Sequence, residues 1–258
     1  MTHLWTEKRV VISTDAAALT SAVARRLVAR LVARSAAGKT THLALSGAPA
    51  GRAVLEAAGA DAARGDVDWS RVHLWWADEA FAPHSAERAD TAARRALRGR
   101  IEIPAENVHA YPAPGEVVNA DAAASAYADE LARFGDEGQP WPSFFVTVLE
   151  VETDGSIAAL YPDRGEIQLT ERAVVAVPGC PQSPHERLTL TRPVINSARC
   201  VWLVVSGSDK AAALGLALAG ASYETVPAAG AKGRRRTLFF VDRDAAAAVP
   251  PELIDQDF

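Results

Sequence analysis

Short apolar runs rich in β-branched residues alternate along the chain with long Ala/Leu/Arg stretches whose apolar positions recur every three or four residues. This is the pattern of parallel strands joined by crossover helices, and it predicts an α/β fold. Strands are expected at Val10–Ser13, His42–Leu45, Val72–Trp76, Val108–Tyr111, Phe144–Leu149, Val174–Val177, Arg187–Thr191, Val201–Val205 and Thr237–Val241. Helices are expected at Asp15–Arg34, capped by Asp15 or Thr14, and at Gly51–Ala60, Ser85–Leu97, Asn119–Phe134, Lys210–Leu218 and Asp242–Ala248. No Pro/Gly/Ser-rich linker and no repeat divides residues 1–258, so one domain is expected.

Composition narrows the function classes. At 258 residues and 49% hydrophobic, the chain can bury a core without disulfide staples. Its 27 basic and 32 acidic side chains give a net charge of −5, which argues against a general nucleic-acid binder, because counterion release needs a concentrated basic surface. The one basic run, Arg234–Arg236, reads as a solvated turn. No apolar stretch, Val201–Val205 included, reaches the ~20 residues of a bilayer span, and Met1–Val11 lacks a signal-peptide core. A cytoplasmic protein with no membrane association is expected. Cys180 and Cys200 have no CxxC or Cys/His cluster around them, so buried thiols are expected instead of a disulfide or a metal site. The six tryptophans read as core or edge packing residues.

In an open parallel sheet, ligands bind beyond the carboxyl ends of the strands. Four such ends carry polar or small residues: Ser46-Gly47-Ala48, Asp78-Glu79-Ala80, Asp154-Gly155-Ser156 and Ser206 through Lys210. Small-residue turns entering helices offer backbone N–H groups to an anion such as phosphate, and Lys210 adds a cation where a helix opens. Asp78 and Asp154 are equally suited to capping turns.

Taken in order, these motifs resemble the 6-phosphogluconolactonase family, relatives of glucosamine-6-phosphate deaminase and ribose-5-phosphate isomerase. The resemblance rests on Leu45-Ser46-Gly47, Trp76-Ala77-Asp78-Glu79, Ile103-Pro104 with Asn107-Val108-His109, and Asp154-Gly155 with Leu160-Tyr161-Pro162. Further matches are Arg187 through Thr191, Gly207 through Ala211, and Val226 through Gly230 with Leu238 and Asp242. The resemblance implies a modified Rossmann-like, mostly parallel sheet and hydrolysis of 6-phospho-D-glucono-1,5-lactone to 6-phosphogluconate in the oxidative pentose phosphate pathway. It implies no metal and no cofactor. Ser46, Gly47, Asp78, Glu79, Gly155, Arg187 and Lys210 become the expected substrate-binding residues, with Arg187 and Lys210 on the phosphate and Ser46-Gly47 donating N–H groups.

The chain departs from the family pattern where the chemistry is expected. A second glycine is replaced by Ala48, an arginine by Ala80, an asparagine by Ala89, and the histidine expected as general base by Ser156. The Gly-x-Gly-Pro expected before Asp154 is Glu150-Val151-Glu152-Thr153. A serine hydroxyl does not accept a proton near neutral pH, and loss of a general base costs about 10²–10⁴ in rate. Ala80 removes a fork of donors matched to phosphate. A carboxylate ~4 Å from phosphate would repel it by several kcal/mol at an effective dielectric near 20, unless Glu150 and Glu152 point to solvent. His84, His185 or Glu152 are the candidates to replace the base, Glu152 if burial raises its pKa. His73 and His109 read as packed or capping residues, His42 as the start of a strand, and His3 as terminal. Candidate catalytic residues are therefore Ser156, Asp154 and Glu152. The expectation is a phosphorylated-lactone hydrolase whose activity is weak or lost, or alternatively a non-catalytic member that binds a sugar phosphate or a protein partner.

Overall fold

A computed structural model describes residues 8–84, 88–136 and 138–255. Strands β1 (Lys8–Ser13), β2 (Thr41–Leu45), β3 (Val72–Trp76), β5 (Phe144–Glu150), β8 (Cys200–Val205) and β9 (Arg236–Asp242) form a six-stranded sheet in the order β1-β9-β8-β5-β2-β3. Every pairing in it is parallel. A second, antiparallel sheet holds β4 (Asp78–Ala80), β7 (Glu186–Leu190) and β6 (Val174–Pro178), with β7 in the centre. The helices are α1 (Ala16–Ala36), α2 (Pro49–Ala60), α3 (Ala89–Leu97), α4 (Ala120–Arg133), α5 (Arg192–Asn196) and α6 (Ala211–Ala219).

The apolar periodicity determines which faces are buried. Helix α1 turns Leu19, Val23, Leu27, Val28 and Leu31 inward, and its N-cap Asp15 accepts the Ala18 N–H at 2.9 Å. Asn119 caps α4 in the same way, accepting from Ala122 at 2.8 Å. All six residues of β8 are buried, as expected of a central strand covered on both faces. Leu188, Leu190 and Val174 of the small sheet join the same hydrophobic core as the large one. The antiparallel sheet is thereby fixed against the carboxyl end of the parallel one: Ala77 donates to Leu45 O and Leu190 donates to Ala77 O, each at 2.7 Å.

Three expected elements differ. Val108–Tyr111 is no strand: Val108 makes a single bridge to Leu74, and Pro112 and Pro114 follow, where a ladder would need N–H donors. Asp242–Ala248 is no helix, because Asp242 ends β9 and its carboxylate accepts from Ala245, leaving only one 3-10 turn at Ala245–Ala248. The helix expected from Ser85 runs from Ala89, and Ser85, like His3 and Trp5, lies outside the described residues. Among the described residues, no helix is long and apolar enough to cross a membrane, and both cysteines are free and buried.

Candidate active site

A cleft of about 490 Å³ opens at the carboxyl ends of β2 and β5, against the antiparallel sheet. Its walls include Gly47, Asp78, Glu79, Glu152, Asp154, Ser156 and Arg187, so seven expected site residues meet in one place. Arg52, Arg88, Tyr161 and the loop 181–184 also line it. Sequence reasoning passed over these. Tyr161 lay inside a quoted motif, and Arg88 is signalled only by its depth, since it is 1% exposed and its guanidinium pairs with Asp90 at 3.2 Å.

Asp78 organises the near wall. Its carboxylate accepts from Gly47 N at 2.9 Å, from Ser46 Oγ at 3.3 Å and from Arg187 Nη2 at 2.6 Å, tying β2, β4 and β7 together. Gly47 is required by close approach: a Cβ there would sit 2.3 Å from the Asp78 carbonyl oxygen. Burial works against the Arg187 charge, but Asp78 outweighs it and holds the guanidinium pKa above its ordinary value. Glu79 points the other way. It accepts from Ala89 N at 2.8 Å and from Ala80 N at 2.9 Å, which makes it a helix and strand cap, and burial pushes its pKa up to about 7 against the pull of Arg88.

The far wall is the turn after β5. Gly155 has φ +82°, and a Cβ on it would also meet Val226 Cγ1 at 2.9 Å. Asp154 accepts from Ser156 N at 2.9 Å and so shapes this turn. Ser156 occupies the position expected for an imidazole, and its hydroxyl is buried with no hydrogen-bond partner among the described residues. Glu152 faces the cleft with its side chain one-third exposed. Its pKa is raised, first by burial and then by Glu150, with Lys210 opposing. Neither candidate histidine lines the cleft: exposed His84 pairs with Glu116 at 3.2 Å, and His185 Nδ1 lies 2.7 Å from Cys180 O. His42, His73 and His109 form a stack at the start of β2 and β3, with His109 also 3.7 Å from the Trp75 ring, in line with packing roles.

Of the two orientations open to Glu150, the inward one is taken, with its Oε1 2.8 Å from Lys210 Nζ. One expectation is corrected: the Ser46-Gly47 turn does not hold its N–H groups open, because Ser46 donates to Val148 O and Gly47 donates to Asp78. Burial disfavours the Lys210 charge, but Glu150, with Glu152 at 3.8 Å and Asp209, raises its pKa. Among the described residues, no group of three or more His, Cys, Asp or Glu side chains is placed to hold a metal ion.

A family model described as glucosamine-6-phosphate isomerases/6-phosphogluconolactonase matches residues 14–240. The chain is 39% identical to the 6-phosphogluconolactonase of Streptomyces coelicolor over 250 residues, which is 95% of this chain and 96% of the relative. It is 41% identical to the 6-phosphogluconolactonase of Mycobacterium tuberculosis over 244 residues, 93% and 98% of the two chains. Among solved structures, the devB protein superposes with a TM-score of 0.79 at 25% identity, over 93% of this chain and 100% of that one. A 6-phosphogluconolactonase from Trypanosoma cruzi shares the fold with a TM-score of 0.78 at 23% identity, over 96% and 99%.

Proposed function

Because the chain belongs to the glucosamine-6-phosphate isomerase/6-phosphogluconolactonase family, we propose that it is an attenuated lactonase. Its reaction is hydrolysis of 6-phospho-D-glucono-1,5-lactone, slowed because a carboxylate, Glu152, serves as general base in place of an imidazole. One observation carries this reading: among the described residues, Glu152 faces the cleft with a raised pKa, while no histidine lines it. In this scheme Glu152 takes a proton from water as the oxygen attacks the C1 carbonyl; the tetrahedral intermediate then collapses with cleavage of the C1–ring oxygen bond, and the departing ring oxygen takes the proton back from Glu152, which returns to the carboxylate. A carboxylate is a poorer proton acceptor than imidazole near pH 7, so the step is slow. Asp154 and Ser156 belong to the turn that positions Glu152 across the cleft, with Asp154 acting through its hydrogen bond to Ser156 N.

The test is a progress curve of lactone opening, corrected for spontaneous hydrolysis. Wild type is expected to exceed the blank by a small factor, and Glu152→Gln to remove that excess. An undiminished rate in Glu152→Gln would sink the proposal. A second reading, a non-catalytic family member acting as a protein-interaction module, is favoured by the internal pairing of both Arg187 and Lys210. It predicts no rate above blank in either protein.

A further inference from the structure

The turn from β2 into α2 is built like an anion cradle, with small residues leading into a twelve-residue helix whose N-cap, Ala48, has no capping side chain. Every backbone donor in it is nonetheless taken from within the protein. Ser46 N donates to Val148 O, Gly47 N to Asp78, Ala48 N to Ser46 Oγ and Gly51 N to Ala48 O, and position 49 is proline. The remaining one, Ala50 N, donates to Glu150 Oε2 at 2.9 Å.

The other oxygen of the same carboxylate, Oε1, lies 2.8 Å from Lys210 Nζ. Glu150 therefore bridges the helix N-terminus and a buried ammonium, the two features that an anionic ligand in this cradle would use. Its side chain is only 16% exposed, and that of Lys210 11%, so the pair is shielded from the salt and water that weaken surface pairs. Arg187, the other cation expected on the phosphate, is committed as well, held by the 2%-exposed side chain of Asp78. Glu152, 3.8 Å from Lys210, adds a further negative charge on the cleft side.

We infer that Glu150 is a specificity-determining residue, a resident carboxylate that competes with a ligand's phosphate for the cradle and weakens its hold on phosphate monoesters. This rests on the lactonase reading above for the location of the ligand, and it assigns the weakness to substrate binding as well as to proton transfer. A phosphate entering the cradle would have to displace a bidentate internal anion and then sit against it. Removing that carboxylate frees one helix N–H and the Lys210 ammonium together, and charge-assisted bonds of this kind carry about ten- to a hundredfold in affinity.

The experiment is isothermal titration of the purified full chain with inorganic phosphate and, separately, with 6-phosphogluconate. Turnover plays no part in the readout, so its outcome is independent of whether Glu152 is the base. Wild type is expected to bind both anions only weakly. Glu150→Gly is expected to bind both anions at least about tenfold more tightly, and Glu150→Gly/Lys210→Ala to lose the gain. Glu150→Gln, which keeps a cap for Ala50 N but not the charge, is expected to fall between and decides the matter if the glycine variant fails to fold. Wild-type affinity equal to that of Glu150→Gly, or of Glu150→Gln in that case, overturns the inference. So does a gain that survives the loss of Lys210.

Discussion

The Asp78 carboxylate is the tightest junction of the site, and removing it makes a quantitative prediction. Asp78→Ala leaves three donors without their acceptor: Gly47 N, Ser46 Oγ and the Arg187 guanidinium, whose side chain is 17% exposed. Each orphaned donor costs about 1–3 kcal/mol, less where water reaches it, and breaking a buried pair from one side costs about 3–5 kcal/mol in all. The expected loss is in that range, roughly a third or more of the stability of an ordinary domain. Asp78→Asn keeps an acceptor for Gly47 N and gives up the charge, so about half that loss is expected. The assay is equilibrium urea unfolding of the wild type, Asp78→Ala, Arg187→Ala and the double variant. Because Arg187→Ala removes the buried partner charge, the double variant should be less destabilised than the two singles added together, with a coupling of about 1–3 kcal/mol. A loss below about 1 kcal/mol in Asp78→Ala, or additive singles, would refute the claim that this pair fixes the cleft wall.

Other expectations follow from the same structure. Burial lowers the His42 pKa from 6.5 to about 3 and that of His109 to about 4, so the stability they lend is present above pH 6.5 and lost on acidification. Glu79, raised from 4.5 to about 7, acts oppositely: its contribution is full below pH 4.5 and lost as pH rises through 7. His73, also lowered by burial, acts with the imidazoles, and Glu152, also raised by burial, acts with Glu79. With three imidazoles set against two carboxyls, unfolding free energy should drop on acidification between pH 6.5 and 4.5, and a flat or rising Tm across that window would contradict the assignment. Gly47→Ala should lower Tm by several degrees in a thermal melt, since its Cβ would stand 2.3 Å from a backbone oxygen that cannot swing away. Glu79→Ala removes the cap on α3 and should cost about 1–2 kcal/mol in chemical denaturation, with Glu79→Gln costing less.

The parallel sheet was legible because its strands are continuous apolar runs and its helices carry capped, periodic faces. β5, β8 and α1 fall within one or two residues of expectation. Val108–Tyr111 has a similar apolar composition, but its neighbouring prolines forbid a ladder. β4 was invisible for the opposite reason: three residues, two of them acidic, become a strand only because β7 arrives from more than a hundred residues away. At the site, the strand-end rule named Gly47, Asp78, Glu79, Asp154 and Ser156, and comparison with the family pattern added Glu152 and Arg187; all seven line one cleft. Neither foretold which carboxylate would find which cation. Glu150 at the end of β5 meets Lys210 sixty residues later only because β5 and β8 are neighbours in the sheet. Charge pairing across strands is a tertiary fact that local pattern does not encode.

The most direct check of the central claim is a side-by-side measurement of blank-corrected 6-phosphogluconolactone opening by this protein and by the Streptomyces coelicolor relative to which it is 39% identical, at equal enzyme concentration and pH 7. A rate lower by at least about 10²-fold is expected, the cost of a carboxylate base in place of the imidazole that the family resemblance implies. Equal rates would contradict the claim, since Glu152 would then impose no penalty on proton transfer.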